Sequence, residues 1–167
     1  MARGLRRFRS VGLCSVSKVD IRNAAVSDFP ILLEMAGKFL SSSPCAEHST
    51  IDPDSLTQTL AVLIDSHLLI VAEIDGAVIG TAGAMLTPTY WNYNELQGLE
   101  FFWWLEKDYR GSGAGQALQY ELTRRAKERG VKFWHMVALE NDKVESLGAL
   151  YKRSGFKLIE RTYLKVF

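Results

Sequence analysis

The stretch Leu99-Glu100-Phe101-Phe102-Trp103-Trp104-Leu105 is apolar and aromatic enough to be a buried strand, and it runs shortly into Arg110-Gly111-Ser112-Gly113-Ala114-Gly115 and an amphipathic segment over 114–129. A strand that passes through a glycine-rich turn into a helix leaves little conformational choice. Glycines permit positive φ and close approach of a ligand to the main chain, and the opening turn of the helix carries unpaired N–H groups and the positive end of the helix dipole. Such a turn is built to hold an anion. Arg110 adds a fixed charge with a forked donor at its mouth, which suits a diphosphate better than a compact ammonium. The turn therefore reads as a pyrophosphate cradle, weighed against an ordinary strand-to-helix turn whose glycines serve φ alone.

Spacing removes two common phosphate loops. No Lys-Ser or Lys-Thr follows the glycines, as a mononucleotide loop requires. The dinucleotide fingerprint needs Gly or Ala three residues after its second glycine, and Gln116 and Leu118 stand there instead. What remains, Arg110-x-x-Gly113-x-Gly115, resembles the acetyl-coenzyme A signature of the GCN5-related N-acetyltransferases, the GNAT superfamily. Leu150-Tyr151-Lys152-Arg153-Ser154-Gly155-Phe156 is similar to a second segment of that family. In element order the resemblance covers Val19 to Phe167, with specific residue matches within about 99–118 and 141–156.

The resemblance implies an α+β fold of the GNAT (acyl-CoA N-acyltransferase) type, a mixed, mostly antiparallel twisted sheet flanked by helices. It implies an acetyl group moved from acetyl-CoA, as co-substrate and without a metal, to a primary amine of a small molecule or a peptide by direct attack in a ternary complex. Arg110, Gly111, Ser112, Gly113, Ala114 and Gly115 would hold the pyrophosphate. Backbone amides near Trp104 and Leu105 would hold the pantetheine and thioester carbonyl. Tyr151 matches the family tyrosine near the sulfur, a general acid for the departing thiolate, against a packing role. The family often has an asparagine seven residues before that tyrosine; here Val144 stands there and Asn141 lies further back.

For the base, Glu100 is the acid within the apolar strand, where burial raises a carboxyl toward useful values. Counted strictly from Arg110, the family's glutamate falls on Leu99, and one residue of offset turns a side chain to the other face unless a bulge intervenes. Glu95, Glu47 and His135 are fallbacks acting through water, and a solvated or paired structural carboxylate is the plain alternative for Glu100. Tyr90, Trp91, Tyr93, Trp103 and Trp104 are candidates to wall an acceptor pocket. Cys45 with His48 three residues on is a candidate nucleophile, although ping-pong chemistry would be unusual for this fold.

The chain of 167 residues is one domain by size. Twenty Lys and Arg balance 19 Asp and Glu, which argues against nucleic acid or an acidic membrane surface as partner. Two cysteines, Cys14 and Cys45, make no disulfide framework and fit a reducing cytoplasm. Residues 1–17, with Arg3, Arg6, Arg7 and Arg9, read as a basic extension outside the domain at 18–167. They lack a signal-peptide core, and no stretch is long and apolar enough to span a membrane. The cluster Arg124, Arg125, Lys127, Arg129 and Lys132 reads first as charge favourable to a helix C-terminus and second as a contact for the nucleotide phosphate.

Patterning predicts a strand at Val19–Arg22, a helix capped by Ser27 or Asp28, a polar loop through Cys45 to Thr50, and a helix from Pro53 to about Ser66. A hairpin follows from His67 to Leu86 around Asp75-Gly76, broken at Pro88, and then a strand from about Gln97 to Leu105. Helix 114–129, strand Lys132–Leu139, helix Asp142–Ser154 and a closing strand Lys157–Val166 complete the order. Through that last strand an exposed edge could pair two copies into a homodimer. Two other function classes stay open: a non-catalytic acyl-CoA-binding module, and a protein that uses the same turn for a different nucleotide diphosphate.

Overall fold

The computed structural model describes residues 18–141 and 143–167; the N-terminal extension with Cys14, and Asp142, lie outside the described residues. In chain order the elements are β1 (Asp20–Asn23), α1 (Phe29–Ser41), α2 (Pro53–Ser66), β2 (Leu68–Ile74), β3 (Ala77–Thr89), β4 (Asn92–Leu105), α3 (Ala114–Glu128), β5 (Val131–His135) and α4 (Val144–Arg153). The sheet runs β1-β2-β3-β4-β5, antiparallel throughout except where β5 lies parallel to β4. That parallel pair needs a crossover, and α3 supplies it.

Local signals account for most of this. Asp75 and Gly76 take positive φ (51° and 83°), the conformation of a tight hairpin turn whose twist matches its strands. The Asp52 carboxylate accepts the Ser55 N–H at 2.8 Å and starts α2. Ala114, Leu118, Leu122 and Ala126 line one stripe of α3 and bury against Ile70, Ala72, Ile79 and Ala82 on one face of the sheet. Gly80 permits that approach, since a methyl group there would meet Leu118 Cδ1 of α3 at 3.2 Å and Leu105 Cδ1 at 2.8 Å. On the opposite face α1 and α2 bring Leu32, Met35, Leu60 and Leu63 onto Leu69, Val71 and Trp104. Arg22 fastens the first turn of the domain, donating to Asp28 at 2.7 and 3.0 Å and to Glu73 at 2.8 Å.

Three expectations are corrected. Pro88 does not break β3, which continues to Thr89, and β4 begins at Asn92 rather than near Gln97. Pairing with β2 ends at Ala84, so beyond it β4 is the one strand neighbour of β3 among the described residues, and a proline costs no ladder bond where its nitrogen faces the free side. β5 stops at His135 instead of running to Leu139, because β4 diverges from it there. Residues 157–167 form no strand: the alternation is present, but among the described residues no neighbouring strand supplies a ladder, and Leu158, Ile159, Tyr163 and Leu164 stay exposed.

Candidate active site

The parallel ladder between β4 and β5 begins at Leu96 with Val131 and ends at Leu99 with His135. Past that point β4 continues in its pairing with β3 while the chain after His135 leaves the ladder, and a gap opens between two strands that started side by side. Glu100 is the first β4 residue at the gap. A bulge lies there, since Phe102 pairs with Gly83 and Glu100 with Ala84, leaving Phe101 unpaired. Simple alternation from Leu105 and Trp103 would put Phe101 on the α3 face. The extra residue reverses that and sets Glu100 beside Ala84, on the α3 face.

Glu100 is 9% exposed, and its Oε2 accepts the Val137 N–H at 3.0 Å. Burial raises its pKa from 4.5 to about 7, against the opposing pull of that backbone hydrogen bond. Tyr151, 8% exposed on α4, donates its hydroxyl proton to the Val137 carbonyl at 2.9 Å. Burial first, and the negative charge of Glu100 second, hold the phenol well above its ordinary pKa. One peptide residue of the segment after β5 thus ties together the two titratable groups that the sequence singles out. α4 keeps Tyr151 in place through its packing on Trp103, 6.4 Å between ring centroids, and on Phe156 at 5.7 Å. The Phe156 N–H returns to the Tyr151 carbonyl at 3.0 Å around Gly155, whose φ is +89°.

The glycine turn follows β4 at the same end of the strand. Gly111 and Gly113 have φ of +83° and +91°, so the backbone itself requires glycine, and the space beside both α-carbons is open to 4 Å. Gly115 serves packing: a methyl there would touch the Trp103 indole at 3.4 Å. No hydrogen bond occupies the N–H of Gly111 or Gly113 among the described residues, and helix geometry leaves those of Gly115 and Gln116 without a carbonyl. Open space beside several unpaired amides at a helix N-terminus fits a pyrophosphate. The Ser112 hydroxyl instead shapes the turn, donating to the Tyr109 carbonyl at 2.6 Å and accepting from the Ala114 N–H at 3.3 Å. Arg110 folds back: its Nε donates to the Leu105 carbonyl at 3.0 Å and its guanidinium lies 4.7 Å from the centre of the Trp104 ring.

Other candidates fall elsewhere. Glu95 pairs with Lys132, and Glu47 is exposed on the loop between α1 and α2. His135 ends β5 opposite Leu99, with a buried Nε2 that has no hydrogen-bond partner. Tyr90, Trp91 and Tyr93 stand exposed at the β3–β4 hairpin tip, far along β4 from the gap; Trp91 packs on Phe133 at 6.0 Å. Trp103 faces α3 and α4, Trp104 faces α1 and α2. Arg124 and Arg125 pair with Glu121, so two cations of the basic cluster are spent within α3. Asn141 is used in the turn into α4, its Oδ1 accepting the Lys143 N–H at 3.0 Å. Cys45 is free. Sequence reasoning missed Val137, whose part is played by its peptide rather than its side chain.

Among the described residues there is no group of three or more His, Cys, Asp or Glu side chains that could hold a metal ion, and no helix long and apolar enough to cross a membrane. The family model of the GNAT acetyltransferases matches residues 32–156. No curated protein matches the chain. Among solved structures, an acetyltransferase of Trypanosoma brucei is 21% identical with a TM-score of 0.70, covering 90% of this chain and all of that one. A predicted acetyltransferase of Clostridium acetobutylicum, solved with acetyl-CoA, is 25% identical with a TM-score of 0.68 over 90% of this chain and 96% of that one. An aminoglycoside acetyltransferase from an uncultured soil sample is 15% identical with a TM-score of 0.68 over 90% and 99%. On the family match across most of its length, with the glycine turn, the parted strands and the element order in agreement, the chain belongs to the GNAT acetyltransferase family.

Proposed function

We propose that this chain transfers the acetyl group of acetyl-CoA to a primary amine by direct attack in a ternary complex. The observation that carries the reading is the meeting of Glu100 and Tyr151 across the Val137 peptide, at the gap between β4 and β5. The glycine turn over 110–115 holds the pyrophosphate on unpaired backbone amides, and main chain at Trp104 and Leu105 lines the route from there to the gap. Acetyl-CoA, when bound, supplies an acyl group activated as a thioester.

Glu100 takes a proton from the attacking nitrogen, directly or through one water, as its lone pair forms the C–N bond. With a pKa of about 7 it is substantially ionised at neutral pH yet still basic enough to matter. The C–S bond breaks with its electron pair on sulfur, and Tyr151 donates a hydrogen bond and then a proton to that thiolate. The raised pKa keeps the phenol protonated until the thiolate develops. To do so the Tyr151 hydroxyl turns from the Val137 carbonyl toward the gap. The products are an amide and free coenzyme A, and the two side chains return to their starting states by proton exchange with solvent.

The second reading, an acyl-CoA-binding module without turnover, treats the same two hydrogen bonds as permanent ties between β4, residue 137 and α4. One experiment separates the two: both expect acetyl-CoA to raise the melting temperature, and only the enzyme releases free thiol with a panel of primary amines. Stabilisation by ATP or NAD but not by coenzyme A would remove both. We further assign a second copy of the chain as partner for the free edge of β5, through residues 157–167.

A further inference from the structure

On the face of the sheet opposite α3, a cavity of about 200 Å³ lies between α1, α2 and β4. Met35 and Phe39 from α1, Leu60 from α2, and Phe101, Phe102 and Trp104 from β4 are half of its lining residues, and among the described residues no carboxylate or other charged group lines it. Its polar groups belong to Thr81, whose hydroxyl already donates to the Ile70 carbonyl at 2.9 Å, and to Trp104, whose buried indole N–H has no hydrogen-bond partner among the described residues. A cavity of about 150 Å³ with an apolar lining can stay dry and bind benzene, so this one accommodates a phenyl ring or a short alkyl chain.

We infer that this cavity receives the apolar tail of the acceptor, and that the acceptor is a monoamine bearing a short alkyl or aryl group rather than a polycation. The inference rests on the acetyl-transfer reading above. The bulge at Phe101 joins the two sites: Glu100 points to the gap on the α3 face while Phe101 and Phe102 wall the cavity. The two rings that wall the cavity directly follow the residue that carries the carboxylate in the chain, so β4 is the element common to the tail's site and the base. Tyr151, Trp103 and the start of α3, assigned to the carrier, are packed on the other face and take no part in the cavity wall. A second ammonium on the tail would be desolvated with no counter-charge to meet.

The n-alkylamines from propyl to heptyl share nearly one amine pKa, so any trend across them reads the tail and not the nucleophile. With acetyl-CoA saturating, kcat/KM rises by about fourfold for each added methylene, the value of burying one CH2, until the cavity is full, and then levels. Replacing hexylamine by 1,6-diaminohexane lowers kcat/KM at least tenfold. Ala36→Phe, on the cavity wall, flattens the length dependence; Leu56→Ala, which enlarges the cavity, moves the plateau to a longer chain and serves if the filled variant does not fold. Turnover that ignores chain length or prefers the diamine overturns the tail assignment and leaves acetyl transfer standing. A length preference that follows the acyl donor, with hexanoyl-CoA outpacing acetyl-CoA, gives the cavity to the acyl chain and overturns it equally. Acetyl-CoA binding without thiol release from any amine overturns the enzymatic reading and this inference together.

Discussion

Glu100 answers two opposed demands. A base has to be ionised near neutral pH, and a carboxylate inside an apolar strand is costly to ionise. The Val137 N–H offsets part of that cost, and the balance rests at about 7. Because the folded value lies above the unfolded one, the carboxyl binds its proton more tightly in the folded chain. Its contribution to stability is complete below pH 4.5 and is lost as pH rises through about 7, on the order of 3 kcal/mol between the two ends. Glu100→Gln keeps an acceptor for Val137 and removes the charge. Its denaturant-measured stability therefore gains on the parent from pH 5 to pH 8, while kcat/KM falls by about 10- to 100-fold and loses the rising limb centred near pH 7. Equal pH dependence of rate in parent and variant would return Glu100 to a structural role.

Among the elements, the glycine turn was legible from sequence because a strand, alternating glycines and an amphipathic helix each carry a local signal, and α3 begins at Ala114 as that pattern requires. The bulge at Phe101 carries no such signal. Nothing in Glu100-Phe101-Phe102 separates a bulged strand from a regular one, and only the pairing with Gly83 and Ala84 reveals which way Glu100 faces. The same limit explains residues 157–167, where a strand-like alternation lacks a ladder, and Val137, whose peptide group any residue except proline would supply. At the turn, Gly113→Ala and Gly113→Glu pay the same strain at φ +91°, about 1 to 2 kcal/mol, but only the glutamate brings a negative charge to the cradle. Coenzyme A affinity measured by calorimetry falls at least 100-fold in Gly113→Glu and far less in Gly113→Ala. Matching losses would mean that the turn's shape, and not an anion, is what Gly113 serves.

At the scale of the whole molecule, the sheet divides the work: α3 and α4 with the glycine turn on one face, α1 and α2 with the apolar cavity on the other, and the parted strands β4 and β5 as the opening between them. Among the described residues no strand pairs with β5 on the side away from β4, and the chain beyond α4 exposes Leu158, Ile159, Tyr163 and Leu164. An open ladder and an exposed alternating segment in one molecule satisfy each other between two copies. A net charge of +1 puts up little repulsion against that association. Light scattering at tens of micromolar is then expected to give a dimer for the full chain. A chain ending at Phe156 keeps the contact of that ring with Tyr151, so it is expected to remain folded, still stabilised by acetyl-CoA, and monomeric. Monomeric full-length chain across that concentration range would show that the two exposed features have no use for each other.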